Sequence, residues 1–206
     1  MNVLKASDVV MSEPAALPPD RPITLQDLYS VESLDGFKKI EIVDGEWYLT
    51  EEAYYSRPDF RMSLIQTKLM VALGTHIRLN KLGRLLSGSL GFVLEGHHNA
   101  IQLLRRTDIA FVRKGRISIN DYEPYYLAPA LTVHVHTNHS SEDMGNRIND
   151  FLKHGTQQVW QVSIEDQQII VHKPGGVIKA YGGNDKLEGG QLLTGFRLDV
   201  SKVFES

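Results

Sequence analysis

The chain has 206 residues, a net charge of −3 at neutral pH and no cysteine. That length suits one domain whose core needs no cross-link. The missing thiols exclude a disulfide framework, a thiolate zinc site and a cysteine nucleophile. The acidic balance argues mildly against tight indiscriminate binding to nucleic-acid phosphates. No apolar run reaches the ~20 residues of a membrane span, and the N-terminus lacks a basic-then-apolar leader. These features set the expectation of a cytoplasmic protein with no membrane partner.

Residues 1–21, ending "EPAALPPDRP", are rich in Pro and Ala without periodicity and read as a flexible tail. A single domain is expected over 22–206. Thr24 can cap a short helix, with Asp27 three residues on. "KKIEIVDGEWYLT" predicts two strands around a turn, because Asp44-Gly45 is a strong hairpin signal. The clearest helix is "PDFRMSLIQTKLMVALGTHIRLNKLG", where Met62, Ile65, Leu69, Leu73 and Ile77 form one stripe. Asp59 would cap it and Gly83 would stop it, with Lys68, Arg78 and Lys81 off the stripe.

"LLSGSLGFVLE" and "IQLLRRTDIAFVRKG" predict strands joined by the turn "EGHHNA", and "LAPALTVHVHT" predicts another. A second helix follows in "SSEDMGNRINDFLKHG". Met144, Ile148, Phe151 and Leu152 give its apolar face, and Gly155 ends it. "QVWQVSIEDQQIIVHK" reads as strand, turn and strand, and "GVIKAYGGNDKLEGGQLLTGFRLDVSKVF" as short strands and a C-terminal turn, with "GGNDKLEGG" in it as a flexible loop. The expected fold is α/β (α+β), a mixed sheet with helices on its faces.

The stretch "LTVHVHTNHSS" holds His134, His136 and His139. On a strand, His134 and His136 share a face about 7 Å apart, from the ~3.3 Å rise per residue, while Val133 and Val135 face the other way. Two imidazoles so placed either share a metal or form the polar face of an edge strand.

The pieces "IEIVDGEW", "RRTDIAFV", "ALTVHVHTNHS" and "DMGNRINDFLKHGTQQVWQV" occur in a telling order. Over about residues 23–204 they resemble the Uma-two family of putative endonucleases, a branch of the PD-(D/E)XK restriction-endonuclease-like superfamily. The resemblance implies a restriction-endonuclease-like sheet, phosphodiester hydrolysis with magnesium, and DNA as substrate. It puts Glu41 at the family's first-strand Glu and Asp108 at the metal-binding Asp, with Thr107 in place of a proline. It also puts His134 at the second metal carboxylate, Arg147 at the helix lysine and Met62 at a helix His. Magnesium favours oxygen ligands and rarely accepts imidazole. Arginine is always charged and is no tunable base.

Three readings follow. In the first, Glu41, Asp108, His134 and Arg147 mark a catalytic centre that has lost its magnesium chemistry and leaves a binding module for nucleic acid or protein. In the second, Asp108, His134 and His136, with His139 or Glu41 nearby, hold manganese, zinc, iron or nickel and sustain cleavage. In the third, the surface alone matters. Arg105, Arg106, Arg113, Lys114 and Arg116 read as phosphate contacts or as a solvated edge. Tyr122, Tyr125 and Tyr126 read as stacking groups or as cover for a core edge. Because relatives dimerise and strand edges need cover, a homodimer is expected.

Overall fold

The computed structural model describes residues 21–32, 40–48, 60–116, 126–137 and 141–205. Asp59, Tyr122, Tyr125, His139 and nearly all of the expected tail lie outside that set.

Helix α1 (Leu25–Glu32) begins as expected. The Thr24 backbone N–H donates to Asp27 Oδ2 at 2.9 Å, and the Asp27 N–H donates to Thr24 Oγ1 at 3.3 Å. Strands β1 (Glu41–Val43) and β2 (Glu46–Tyr48) pair around Asp44 and Gly45. Both turn residues have positive φ, 53° and 76°, as a two-residue hairpin turn requires. Helix α2 (Phe60–Leu79) buries Ile65, Leu69, Leu73 and Ile77, and Met62 is partly buried beside them. Strands β3 (Gly83–His97) and β4 (Ala100–Arg113) make a long antiparallel hairpin.

Strand β5 (Leu131–His136), helix α3 (Ser141–Lys153) and strand β6 (Gln158–Ser163) form a crossover, with β5 and β6 parallel. Strands β7 (Gln168–Lys173) and β8 (Val177–Gly182) continue the sheet antiparallel. The short strands expected in the C-terminal stretch are β8 itself and β9 (Lys186–Glu188), which pairs with β10 (Arg197–Asp199); β9 lies within the segment also read as a loop, and the short helix α4 (Val200–Phe204) stands at the expected C-terminal turn.

The sheet runs β2-β1-β4-β5-β6-β7-β8, and β3 lies on β4. Helices α2 and α4 cover one face, packing on Ile109, Phe111, Val133, Val135 and Trp160. Helix α3 covers the other, setting Met144, Ile148 and Phe151 against Phe92, Ala110, Val112 and Val159. A third cluster holds α1 on Ile42, Val93, Ile101 and Leu104. This is the expected mixed sheet between helices.

The alternation along β4 changes phase in mid-strand. Arg105 pairs with Phe92 and so faces α3, whereas Ile109 and Phe111 face α2. The change falls where β3 bulges, with Ser87 opposite Ile109 but Leu90 opposite Thr107. Gly88 and Ser89 supply the bulge with φ of 109° and 56°. Ladder bonding to β5 is then taken over by side chains. Thr107 Oγ1 donates to the Val133 carbonyl at 2.9 Å, and the Val135 N–H donates to Asp108 Oδ2 at 2.8 Å.

Candidate active site

Glu41 is the hub of a buried ion-pair cluster. Three elements meet on it: β1 carries Glu41, β4 carries Arg105 and Arg106, and α3 carries Asp143, Arg147 and Asp150 on one helical face at i, i+4 and i+7. Arg105 Nη1 donates to Glu41 Oε2 at 2.7 Å, and the Arg106 N–H donates to Glu41 Oε1 at 2.7 Å. Arg147 adds Nε to Oε1 and Nη2 to Oε2, both at 3.2 Å. Both carboxylate oxygens thus accept twice. Glu41 is 2% exposed, so no water makes up for a lost partner.

The rest of the cluster ties the two guanidinium groups to α3. Arg105 Nε donates to Asp150 Oδ2 at 2.7 Å, and Arg147 Nη2 lies 3.0 Å from Asp143 Oδ2. Burial works against the Arg105 charge, yet Glu41 and Asp150 raise its pKa above the usual arginine value. The Tyr48 ring lies under Arg105, 5.3 Å from the guanidinium carbon. Burial and the hydrogen bond to Asp143 push the Tyr48 phenol upward. A cleft of about 390 Å³ opens beside this cluster, with Asp44, Tyr48, Asn146, Asn149 and Lys153 on its walls.

His134 faces α3, with its ring 5.6 Å from that of Phe151. Its Nε2 is buried without a hydrogen-bond partner among the described residues. Burial, then the nearby Arg147 charge, hold its pKa well below the ordinary histidine value, so the ring is neutral at pH 7. His136 belongs to a chain of polar contacts across three strands. Its Nε2 lies 3.2 Å from the Gln161 amide nitrogen, and Gln161 Oε1 lies 3.2 Å from His172 Nε2. This assignment makes His136 Nε2 an acceptor and His172 Nε2 a donor. Strand β5 is therefore central, not an edge, and its histidine face is buried.

Asp108 belongs to different surroundings. It spans the gap between β4 and β5 and borders a depression formed with Ser63, Gln66, Met70, Ser87 and Gly88. Glu41 and Arg147 are thus in contact and His134 is close to Arg147, while Asp108 borders the α2 side. Among the described residues, no group of three or more His, Asp or Glu side chains is arranged to hold a metal ion. Arg105 and Arg106 are not surface phosphate contacts. Arg105 is buried on Glu41, and Arg106 reaches the Ile40 and Ser89 carbonyls at 2.8 and 2.7 Å. Burial lowers the Arg106 pKa to about 10.

The mixed sheet between helices is the fold that the resemblance to restriction-endonuclease-like proteins implies. The family model Uma2, described as "Putative restriction endonuclease", matches residues 26–201, and the chain belongs to that family. The solved structure of a "putative nuclease belonging to DUF820" from Anabaena variabilis ATCC 29413 has the same fold. It aligns with a TM-score of 0.70 at 18% identity, over 89% of this chain and 98% of that one. No curated protein matches the chain. No helix among the described residues is long and apolar enough to cross a membrane.

Proteins of this superfamily usually work with a divalent metal, and the residues at this centre do not fit one. A magnesium ion needs several oxygen donors with free lone pairs. Glu41 has its lone pairs directed at three arginines, and one Asp108 oxygen accepts the Val135 N–H. The third position offers an imidazole, and the Arg147 cation sits beside it.

Proposed function

We propose that this chain is a nuclease-fold protein that binds nucleic acid and does not hydrolyse it with magnesium. One observation carries this reading. Arg147, at the position that resemblance assigns to the family's lysine, lies on Glu41 at 3.2 Å through two nitrogens. A guanidinium so held neutralises the first-strand carboxylate and puts a fixed positive charge beside His134, the second metal position. It is also always protonated and so activates no water as a base. His134 Nε2, with no hydrogen-bond partner among the described residues, offers a nitrogen ligand, but Gln161 engages His136 Nε2, so the second imidazole of the second reading is already held at that nitrogen.

The proposal includes a homodimer. Its support is β8, the terminal strand of the sheet, which exposes Val177 and Ile178 by 54% and 63%.

The test is a cleavage panel. Plasmid and single-stranded DNA are incubated with the protein in magnesium, manganese, zinc and nickel, beside Asp108→Ala and His134→Ala. The expected result is intact DNA in every lane. Cleavage in magnesium that Asp108→Ala abolishes would overturn the proposal. Cleavage only in a transition metal, lost in both variants, would establish the second reading instead.

A further inference from the structure

We propose that the end of the molecule formed by the α2 C-terminus and the base of the β3–β4 hairpin is a docking surface for the sugar-phosphate backbone of duplex DNA. This deepens the binding role proposed above and rests on it. Residues 60–94 contain Arg61, Lys68, Arg78, Lys81 and Arg84 but no Asp or Glu, in a chain with more acids than bases. The fold then adds cations from thirty residues downstream. The Leu82 N–H donates to the Ile77 carbonyl at 3.0 Å, and the Lys114 N–H donates to Leu82 at 2.8 Å. Gly83 pairs with Arg113, Arg84 pairs with Val112, and the Arg116 N–H closes a turn on Arg113 at 3.2 Å.

Arg78, Lys81, Arg84, Arg113, Lys114 and Arg116 are thereby gathered at one end of the sheet, and all six are exposed. None takes part in an ion pair among the described residues. Among the described residues the Arg113 side chain donates to the neutral Gln157 carboxamide, at 2.9 Å. The other basic group of the chain behaves oppositely: Arg105 and Arg147 are buried and matched by carboxylates.

Six clustered cations with no ion-pair partner among the described residues make a local positive potential that the net charge of −3 conceals. Duplex DNA carries one negative charge per ~1.7 Å of its axis, and each neutralised phosphate releases counter-ions. Single-strand binders add exposed aromatic rings on which bases stack. Segments 76–86 and 111–116 offer none. Phe111 is buried, and the only other ring, His76, packs edge-on against Phe196. Contacts to phosphate alone favour the partner with the denser charge, the duplex.

The test is a fluorescence-anisotropy titration in EDTA, which removes any contribution from cleavage. The probes are a duplex of about 30 base pairs and one of its strands, between about 50 and 200 mM salt. Duplex binding tighter than single-strand binding is expected. Four phosphate contacts give a log–log salt slope of about −3.6, roughly a 150-fold loss over that range. Arg84→Glu with Lys114→Glu should weaken binding at least about tenfold and flatten the slope by about 2. Arg84→Gln with Lys114→Gln gives a smaller loss in the same direction and guards against misfolding of the reversed pair. Lys186→Glu, at an exposed cation on β9 that is already paired with Asp199, should leave binding nearly unchanged.

Duplex binding that survives both double variants would overturn this surface and leave the binding role standing. So would equal loss in Lys186→Glu, or preference for the single strand. No binding of either probe at the lowest salt would overturn both.

Discussion

Arg147 and Glu41 illustrate how one side chain changes what a site can be. A buried carboxylate costs several kcal/mol to desolvate unless cations and N–H groups surround it, and removing one partner of a buried pair typically costs ~3–5 kcal/mol. Glu41→Ala leaves Arg105 and Arg147 facing Asp143 and Asp150 alone, at 3% and 9% side-chain exposure. We expect a loss of about 3–5 kcal/mol in urea unfolding. A loss below about 1 kcal/mol, typical of a surface pair, would contradict the buried geometry.

His134 gives a pH prediction. Its folded pKa lies well below the ordinary histidine value of 6.5, by burial first and the Arg147 charge second; His172 is lowered by burial alone. Below pH 6.5 the unfolded chain binds protons that the folded chain refuses, so stability rises with pH in that window. The His134 contribution is complete above pH 6.5. It is lost as pH falls from there toward the folded pKa, by up to about 1.4 kcal/mol per pH unit. Melting temperature should drop between pH 7 and pH 5.5, and His134→Gln should reduce that drop. An unchanged slope in the variant would mean that His134 is not the group responsible.

At the scale of elements, much of the fold was legible because local chemistry and tertiary packing agree. Asp44-Gly45 announced a hairpin, and Met144, Ile148 and Phe151 announced the buried face of α3. The strand containing His134 was harder to read. A polar face on one strand looks like an edge, and only the neighbouring strands supply Gln161 and His172 to bury it.

The candidate site was legible in part. Resemblance selected Glu41 and Arg147, which do meet, yet Arg105 looked like one more residue of an exposed basic run. Its burial depends on the phase change at the β3 bulge, which composition does not reveal. Asp143, Arg147 and Asp150 at i, i+4 and i+7 were a readable signal for a charged face on α3 that needed a buried partner.

Gly96 tests the hairpin that carries Arg105. Its φ is +104°, and an added Cβ would lie 2.3 Å from the Ala100 carbonyl oxygen, a backbone atom that cannot turn aside. Gly96→Ala should cost more than ~1 kcal/mol in urea unfolding, because both the conformation and the space are wrong for a side chain. A neutral result would mean that the turn readily adopts another conformation.

Over the whole molecule the charges are segregated. Cations at the Glu41 cluster are matched and buried, while those at the end of α2 and the hairpin are exposed and have no ion-pair partner among the described residues. The mildly acidic total, which on composition alone spoke against nucleic acid, averages over that division. The dimer proposal also belongs at this scale. Sedimentation equilibrium should give about twice the chain mass of 23.2 kDa. Ile178→Lys on the terminal strand should return it to a single chain. A wild-type mass of one chain at micromolar concentration would contradict the proposal.

The central claim is that guanidinium groups hold the charge position a catalytic metal would need. Calorimetric titration of magnesium, and separately manganese, into the purified protein tests it directly. The account predicts no saturable binding below millimolar metal for the wild type or for Glu41→Gln. Saturable binding in the wild type that Glu41→Gln or Asp108→Ala removes would contradict it, because those carboxylates would then be free to ligate.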